Sequence, residues 1–300
     1  MSVILCLICI LFLVGCELGE AKQGKYLIAG NKAVACQIVV DQSGHGTFSS
    51  IQSAINSIPS DNQNWVCIFI TAGIYREKVK IPYDKPYIIL KGEGKRSTQI
   101  IWDDHDSIAQ SPTFASMADN VVVSHITFVN SYNGPYGNSK NPRVPAVAAM
   151  IGGDKTSFHR CRFSGVQDTL WDDQGIEEGL SGFITAQGRT NPDDANGFVF
   201  KRCIVIGTGT TYLGRPWRNY ARVFFYKSNL TNVIQPQGWN SWNAAGREHQ
   251  ITFAEHGCYG PGSDTSNRVT WEKKLSTNQV KKLTSIAFID TEGWLQKQPK

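Results

Sequence analysis

Four stretches of the chain share the form apolar-x-x-compact-x-apolar: Val123–Phe128, Phe158–Phe163, Phe200–Val205 and Phe225–Leu230. Alternation of this kind turns one side of each strand inward and the other outward. The stretches begin 35, 42 and 25 residues apart, a spacing that fits a parallel β-solenoid whose turns pack only on their neighbours. From the pattern alone an antiparallel sandwich, the commoner class, is slightly favoured. The third position of every repeat is a base: His125, Arg160, Arg202 and Lys227. Such a row is either a solvated face or a contact for a polymer.

The rest of the chain frames this central region. "GTFSSIQSAINSIP" (Gly46–Pro59) carries Phe48, Ile51, Ala54, Ile55 and Ile58 at helical spacing. Ser49 or Ser50 can cap its start, and Pro59 stops it. A second helix is expected within Ser276–Ile289, with Val280, Leu283 and Ile286 on one face.

At its start the chain has thirteen uncharged apolar or small residues, Val3–Gly15. That length suits a secretory signal and is short for a membrane span. The expected organisation is a signal peptide at about 1–22 followed by one domain, 23–300. A retained anchor and a lipoprotein-type "LVGC" box are the alternatives. Five cysteines remain after the signal (Cys36, Cys67, Cys161, Cys203, Cys258), too few for a disulfide scaffold and without zinc-type CxxC spacing. Asn229-Leu230-Thr231 is an acceptor for N-glycosylation in a secreted chain. A hydrophobic content of 41% excludes disorder, and the net charge of +5 suits an anionic polymer as partner, though a mildly basic protein needs no such partner.

Two short strings carry candidate chemistry. "GVQDTLW" (Gly165–Trp171) sets Gln167 beside Asp168 in an apolar setting, and "LGRPW" (Leu213–Trp217) follows. Together with "DQSGHGTFSSIQSAI", "GIYREKV", "HRCRF" and "ITAQGRTNP", in this order, they make the chain resemble the plant-type pectin methylesterases over roughly residues 38 to 295. The resemblance implies an all-β, right-handed parallel β-helix with a short N-terminal and a C-terminal helix. It also implies a secreted, extracellular enzyme of the cell wall, in the shorter class that lacks a long pro-region. Methyl-esterified homogalacturonan would be its substrate, with no metal or organic cofactor, no nucleic acid and no membrane after signal removal. A monomer is expected, with a proteinaceous pectinesterase inhibitor as a possible partner. A polysaccharide lyase on a similar fold is the enzymatic rival, but no acidic cage for calcium is evident.

Acyl transfer in that family uses two carboxyls. One, ionised, attacks the ester carbonyl; the other, protonated, gives its proton to departing methoxide. Two close carboxyls split their pKa values, so that one is acid while the other is base. By resemblance Asp168 is the general acid and Gln167 an oxyanion donor. Arg215 orients the nucleophile through a bidentate bond that Lys could not make. Trp217 stacks on a sugar, and Thr113 is a weaker substrate contact.

The chain departs from the family pattern at two points. A "DFIFG"-like string, which bears the nucleophilic aspartate, is absent; "QDTLWDDQG" runs straight into "IEEGLSGFITAQGR". Roughly two solenoid turns are missing on this reading. Pro145 stands where a second oxyanion-binding Gln is expected and has no amide N–H. Asp172, Asp173, Glu177 and Glu178 lie in the shortened connection, on loop-like sequence with no strand to aim them. Arg215 is left to turn toward Asp168, which would hold that carboxyl ionised.

Overall fold

The computed structural model describes residues 36–107, 109–132, 146–153, 155–165, 169–171, 182–193, 197–206, 210–285 and 297–299. The expected signal segment, Pro145, Gln167, Asp168 and the four acids of the shortened connection all lie outside these residues. Among the described residues every strand pairing is parallel, which removes the sandwich and leaves a right-handed parallel β-helix.

Three sheets form its walls. Sheet A stacks Ile38–Val40, Val66–Ile70, Ile88–Gly92, Val121–Ser124 and Ser157–His159. Sheet B stacks Gly73–Tyr75, Thr98–Trp102, Thr127–Asn130 and Arg162–Ser164. Sheet C stacks Val79–Ile81, Phe114–Ser116, Ala149–Ile151, Leu170–Trp171, Gly182–Gln187 and Thr211–Pro216. Beyond Ser164 the first two walls start afresh. Sheet A′ holds Phe198–Lys201, Arg222–Tyr226 and Thr252–His256; sheet B′ holds Ile204–Val205 and Asn229–Leu230. Among the described residues only sheet C runs through this discontinuity, by pairing Leu170 with Thr185 and Trp171 with Ala186.

The interior explains the repeats. Phe114 and Phe128 lie 4.7 Å apart between ring centres, and Phe128 stacks on Phe163 at 5.4 Å. In the second part Phe200 stacks on Phe225 at 4.3 Å. Each ring is fully buried, worth about 1.5–3 kcal/mol by area. The compact repeat positions, Ile126, Cys161, Cys203 and Ser228, are buried just past the corner between walls A and B. The base before each has a left-handed backbone, with φ of 60° at His125, 53° at Arg160, 56° at Arg202 and 48° at Lys227. The row read from sequence is therefore a stack of corner residues.

Both helices form, shorter than the sequence spacing suggests. Helix α1 spans Ile51–Asn56, with Ser50 accepting from Ser53 N–H. The Glu77 carboxylate also accepts from the Ile51 and Gln52 amides, at 2.8 and 3.0 Å. Phe48 is instead drawn into a parallel bridge with Val40. Helix α2 spans Thr277–Thr284 behind a Ser276/Gln279 capping box and buries Val280 and Leu283 on Val199, Phe224 and Ala254 of sheet A′. Cys36 and Cys67 form a disulfide, and among the described residues Cys161, Cys203 and Cys258 take part in none.

Candidate functional site

Sheet C is the continuous wall, and its register builds a row across six strands. Lys80 pairs with Ala115, Ala115 with Met150, Met150 with Trp171, Trp171 with Ala186, and Ala186 with Arg215. Five strand spacings make this row about 24 Å long. Ala115, Met150 and Ala186 join Met117, Val147 and Trp217 in an apolar cluster separate from the solenoid core. A cavity of about 290 Å³ lies at the Lys80 end, lined by Lys78, Lys80, Pro112, Ala115 and Met150 among others.

Arg215 occupies the other end and is 2% exposed. Its guanidinium carbon sits 4.5 Å from the Phe183 ring centre and 4.3 Å from that of Trp242, with Trp217 further away at 5.9 Å. Two rings against the guanidinium restrict its orientation, and with it the directions in which its N–H donors point. Trp217 packs its ring 4.7 Å from Trp242 and is only 5% exposed. Gly214 is required for this geometry. A Cβ there would overlap Thr185 Oγ1, which donates to the Leu213 carbonyl at 2.9 Å.

Sequence reasoning missed two members of the site. Phe183 lies on the strand Gly182–Gln187, just before "ITAQGR", and Trp242 opens a single 3₁₀ turn, Trp242–Ala244, at φ 40°, where no periodicity marks it. Proximity of "GWNSW" to "LGRPW" in the chain was the available signal.

Other motif residues are architectural. Gln187 is fully buried, and its Oε1 accepts from the amides of Arg222, at 2.8 Å, and Arg189, at 3.2 Å. Arg189 donates to the Tyr220 carbonyl at 3.1 Å and to that of Pro192. Burial and the charge of Arg189 pull Arg222 down to about 10. Thr113, expected to touch substrate, is fully buried, and its hydroxyl donates to the Val129 carbonyl at 3.0 Å. Thr113 leads into a sheet C strand with its side chain turned toward wall B. Of the expected site residues the described structure brings together Arg215 and Trp217, and Asp168 and Gln167 lie just before the strand Leu170–Trp171.

Fold and row together define a parallel β-helix protein with one continuous wall, whose row runs from a lysine-lined cavity to a buried arginine set among aromatic rings. Comparison with known proteins sharpens this. The pectinesterase family model matches residues 37–177 and 174–292. Probable pectinesterase 29 of Arabidopsis thaliana is 51% identical, over 88% of this chain and 90% of that protein. Probable pectinesterase 55 of the same plant is also 51% identical, over 88% and 91%. The pectin methylesterase from carrot has the same fold with a TM-score of 0.74 at 28% identity, covering 90% of this chain and 98% of that one. The chain belongs to the pectinesterase family, carboxylic ester hydrolases whose reaction is the demethylesterification of pectin.

Proposed function

We propose that this chain is a secreted cell-wall pectinesterase relative that binds methyl-esterified homogalacturonan and hydrolyses it poorly, because the coil bearing its second carboxylate is absent. One observation carries the reading. Leu170–Trp171, next to Asp168, pairs directly with Gly182–Gln187, while among the described residues wall A stops at His159 and resumes at Phe198, and wall B stops at Ser164 and resumes at Ile204. A coil lost between them removes one strand from each wall, and only wall C closes the gap. Two further findings support this. The family model meets the chain as two stretches that join at 174–177. The 51% match runs over 300 residues yet takes in 88% of a 300-residue chain, so about an eighth of it faces no residue here.

The chemistry follows from the pair requirement. A protonated Asp168 can supply a proton to methoxide, and Gln167 can donate to the oxyanion, but neither attacks the carbonyl. Attack needs an ionised carboxylate aimed by Arg215. Pectin binding without turnover is the second reading, favoured by the retention of Arg215, Trp217 and the groove.

The test is methanol release from highly esterified pectin by the purified chain, beside a version with a coil carrying an aspartate inserted between Gly175 and Gly179. Turnover restored by the insertion supports the proposal. Equal, robust turnover in both would falsify it, and pectin bound by neither would sink both readings.

A further inference from the structure

The corner between walls A and B lies across the solenoid from sheet C, and it carries a basic strip that the groove does not use. His125 and Arg160 stand on neighbouring coils, and so do Arg202 and Lys227. Each pair is separated by one strand spacing of about 4.8 Å. Arg160, Arg202 and Lys227 are exposed, and so is Lys91, which precedes the corner one coil below His125. Burial first, and then the charges of Arg160, Lys91 and Lys95, disfavour protonation of His125. Glu93 is the acid at this strip, and its carboxylate accepts from the Ala72 amide at 2.8 Å.

Backbone geometry makes the strip rigid. The amides of His125, Arg202 and Lys227 donate to the carbonyls of His159, Tyr226 and His256 on the next coils, at 3.0, 2.9 and 2.9 Å. Left-handed backbone is costly for side chains other than Gly, Asn and Asp. Four bases hold that conformation at one corner, where glycine would relieve the strain, as Gly257 does one coil further on at φ 61°. A solvated corner needs no charge. Lys91 and Arg160 before the discontinuity, and Arg202 and Lys227 on neighbouring coils after it, place exposed cations along one corner and match a ligand with one anion per repeating unit.

We infer that this corner is a second polymer-binding surface, separate from the sheet C groove, whose ligand is a linear polyuronate: the de-esterified form of pectin, with a carboxylate on every ring. The inference rests on pectin being the polymer this chain meets and is independent of turnover. An esterified stretch would sit in the groove while a de-esterified stretch lies along the corner. Binding would weaken with salt as counter-ions screen these cations.

The test compares wild type with Lys91→Gln/Arg160→Asn/Lys227→Asn, where Asn suits the left-handed positions. Co-sedimentation is measured with polygalacturonate and with fully methyl-esterified pectin at low and high salt. The triple variant should bind polygalacturonate at least tenfold more weakly than wild type and lose most of the salt dependence. Binding to esterified pectin should not change. Should the triple variant fold poorly, Arg160→Asn alone carries the comparison with a smaller loss. Unchanged polygalacturonate binding in a folded variant overturns the inference, as does equally tight binding of wild type to duplex DNA or dextran sulfate. If neither protein binds esterified pectin but the polygalacturonate difference stands, the groove reading fails and the corner survives.

Discussion

Ser157 donates a 2.7 Å hydrogen bond to the side-chain oxygen of Gln298, joining residues 141 positions apart across the discontinuity of the solenoid. Ser157 is on the last strand of wall A, whereas the segment leading toward Gln298 leaves from helix α2, which is packed on wall A′. The Gln298 amide nitrogen donates in turn to the Lys155 carbonyl at 2.8 Å, which settles the orientation of the amide. Since the Ser157 hydrogen is spent on Gln298, the 3.2 Å contact between Ser157 Oγ and His159 Nε2 requires the histidine to donate. Gln298 thus holds the last strand of wall A at the point where, among the described residues, walls A and B are interrupted.

Gln298→Ala should therefore destabilise beyond what a terminal residue ordinarily does. Gln298 is 3% exposed, and its loss takes an acceptor from the buried Ser157 hydroxyl and a donor from the Lys155 carbonyl, a cost of about 1–3 kcal/mol. Chemical denaturation measures the loss. Hydrogen exchange should localise it to Lys155–His159, and uniform or absent change there would show that the tie carries no load.

Acid sensitivity between pH 7 and 5 should trace to the corner histidines. Burial holds His159 below its usual range; burial, then the charges of Arg160, Lys91 and Lys95, does the same to His125. Both fold as neutral rings, so below about 6.5 the unfolded chain takes up protons first and stability falls as pH falls. His125→Asn/His159→Gln should flatten denaturation midpoints across this window, and an unaltered slope would assign the effect elsewhere.

How far the fold could be read from the sequence follows from what fixes each part. The strand repeats were legible because Phe128, Phe163, Phe200 and Phe225 must all face one interior. Helix limits were not: Phe48 fits a helical stripe as well as the bridge it makes with Val40, and only tertiary pairing decides between them. Arg215 and Trp217 were legible through an uncommon string. Phe183 and Trp242 were not, since the cation–π contacts that recruit them depend on coil stacking and on one loop. The burial of Thr113 was not legible, because a motif position does not say which way a side chain points. The row of bases was visible, but its left-handed corner was not.

Arg268 and Glu255 form a buried pair, 2.6 Å apart and 2% and 3% exposed, with a second contact at 3.2 Å. Burial raises the Glu255 carboxyl while Arg268 pulls it down. Arg268→Met should cost about 3–5 kcal/mol by stranding the carboxylate. With its carboxyl raised further, stability in the variant is fully present below about pH 4.5 and lost as pH rises through the folded value. Urea midpoints should therefore separate more at pH 7 than at pH 5. Adding Glu255→Leu should recover part of the loss, and additive damage from the two changes would argue that Arg268 matters only for its contacts with the Pro236 and Gly262 carbonyls.

Trp242 lies between two roles that a single substitution separates. Its ring closes one face of Arg215 and packs on Trp217, so it is either a wall of the sugar groove or a cover over it. As a wall it holds the guanidinium plane, and Trp242→Ala should weaken binding of esterified oligogalacturonides at least fivefold. The half-buried ring should cost only about 1–2 kcal/mol of stability. Trp242→Phe keeps an aromatic face and should bind nearly as wild type does. Tighter binding by Trp242→Ala would identify a cover, because removing the ring exposes Trp217. Affinity and denaturation measured on the same three proteins distinguish the outcomes, and the wall is favoured here because the Arg215 guanidinium lies against both the Phe183 and the Trp242 rings.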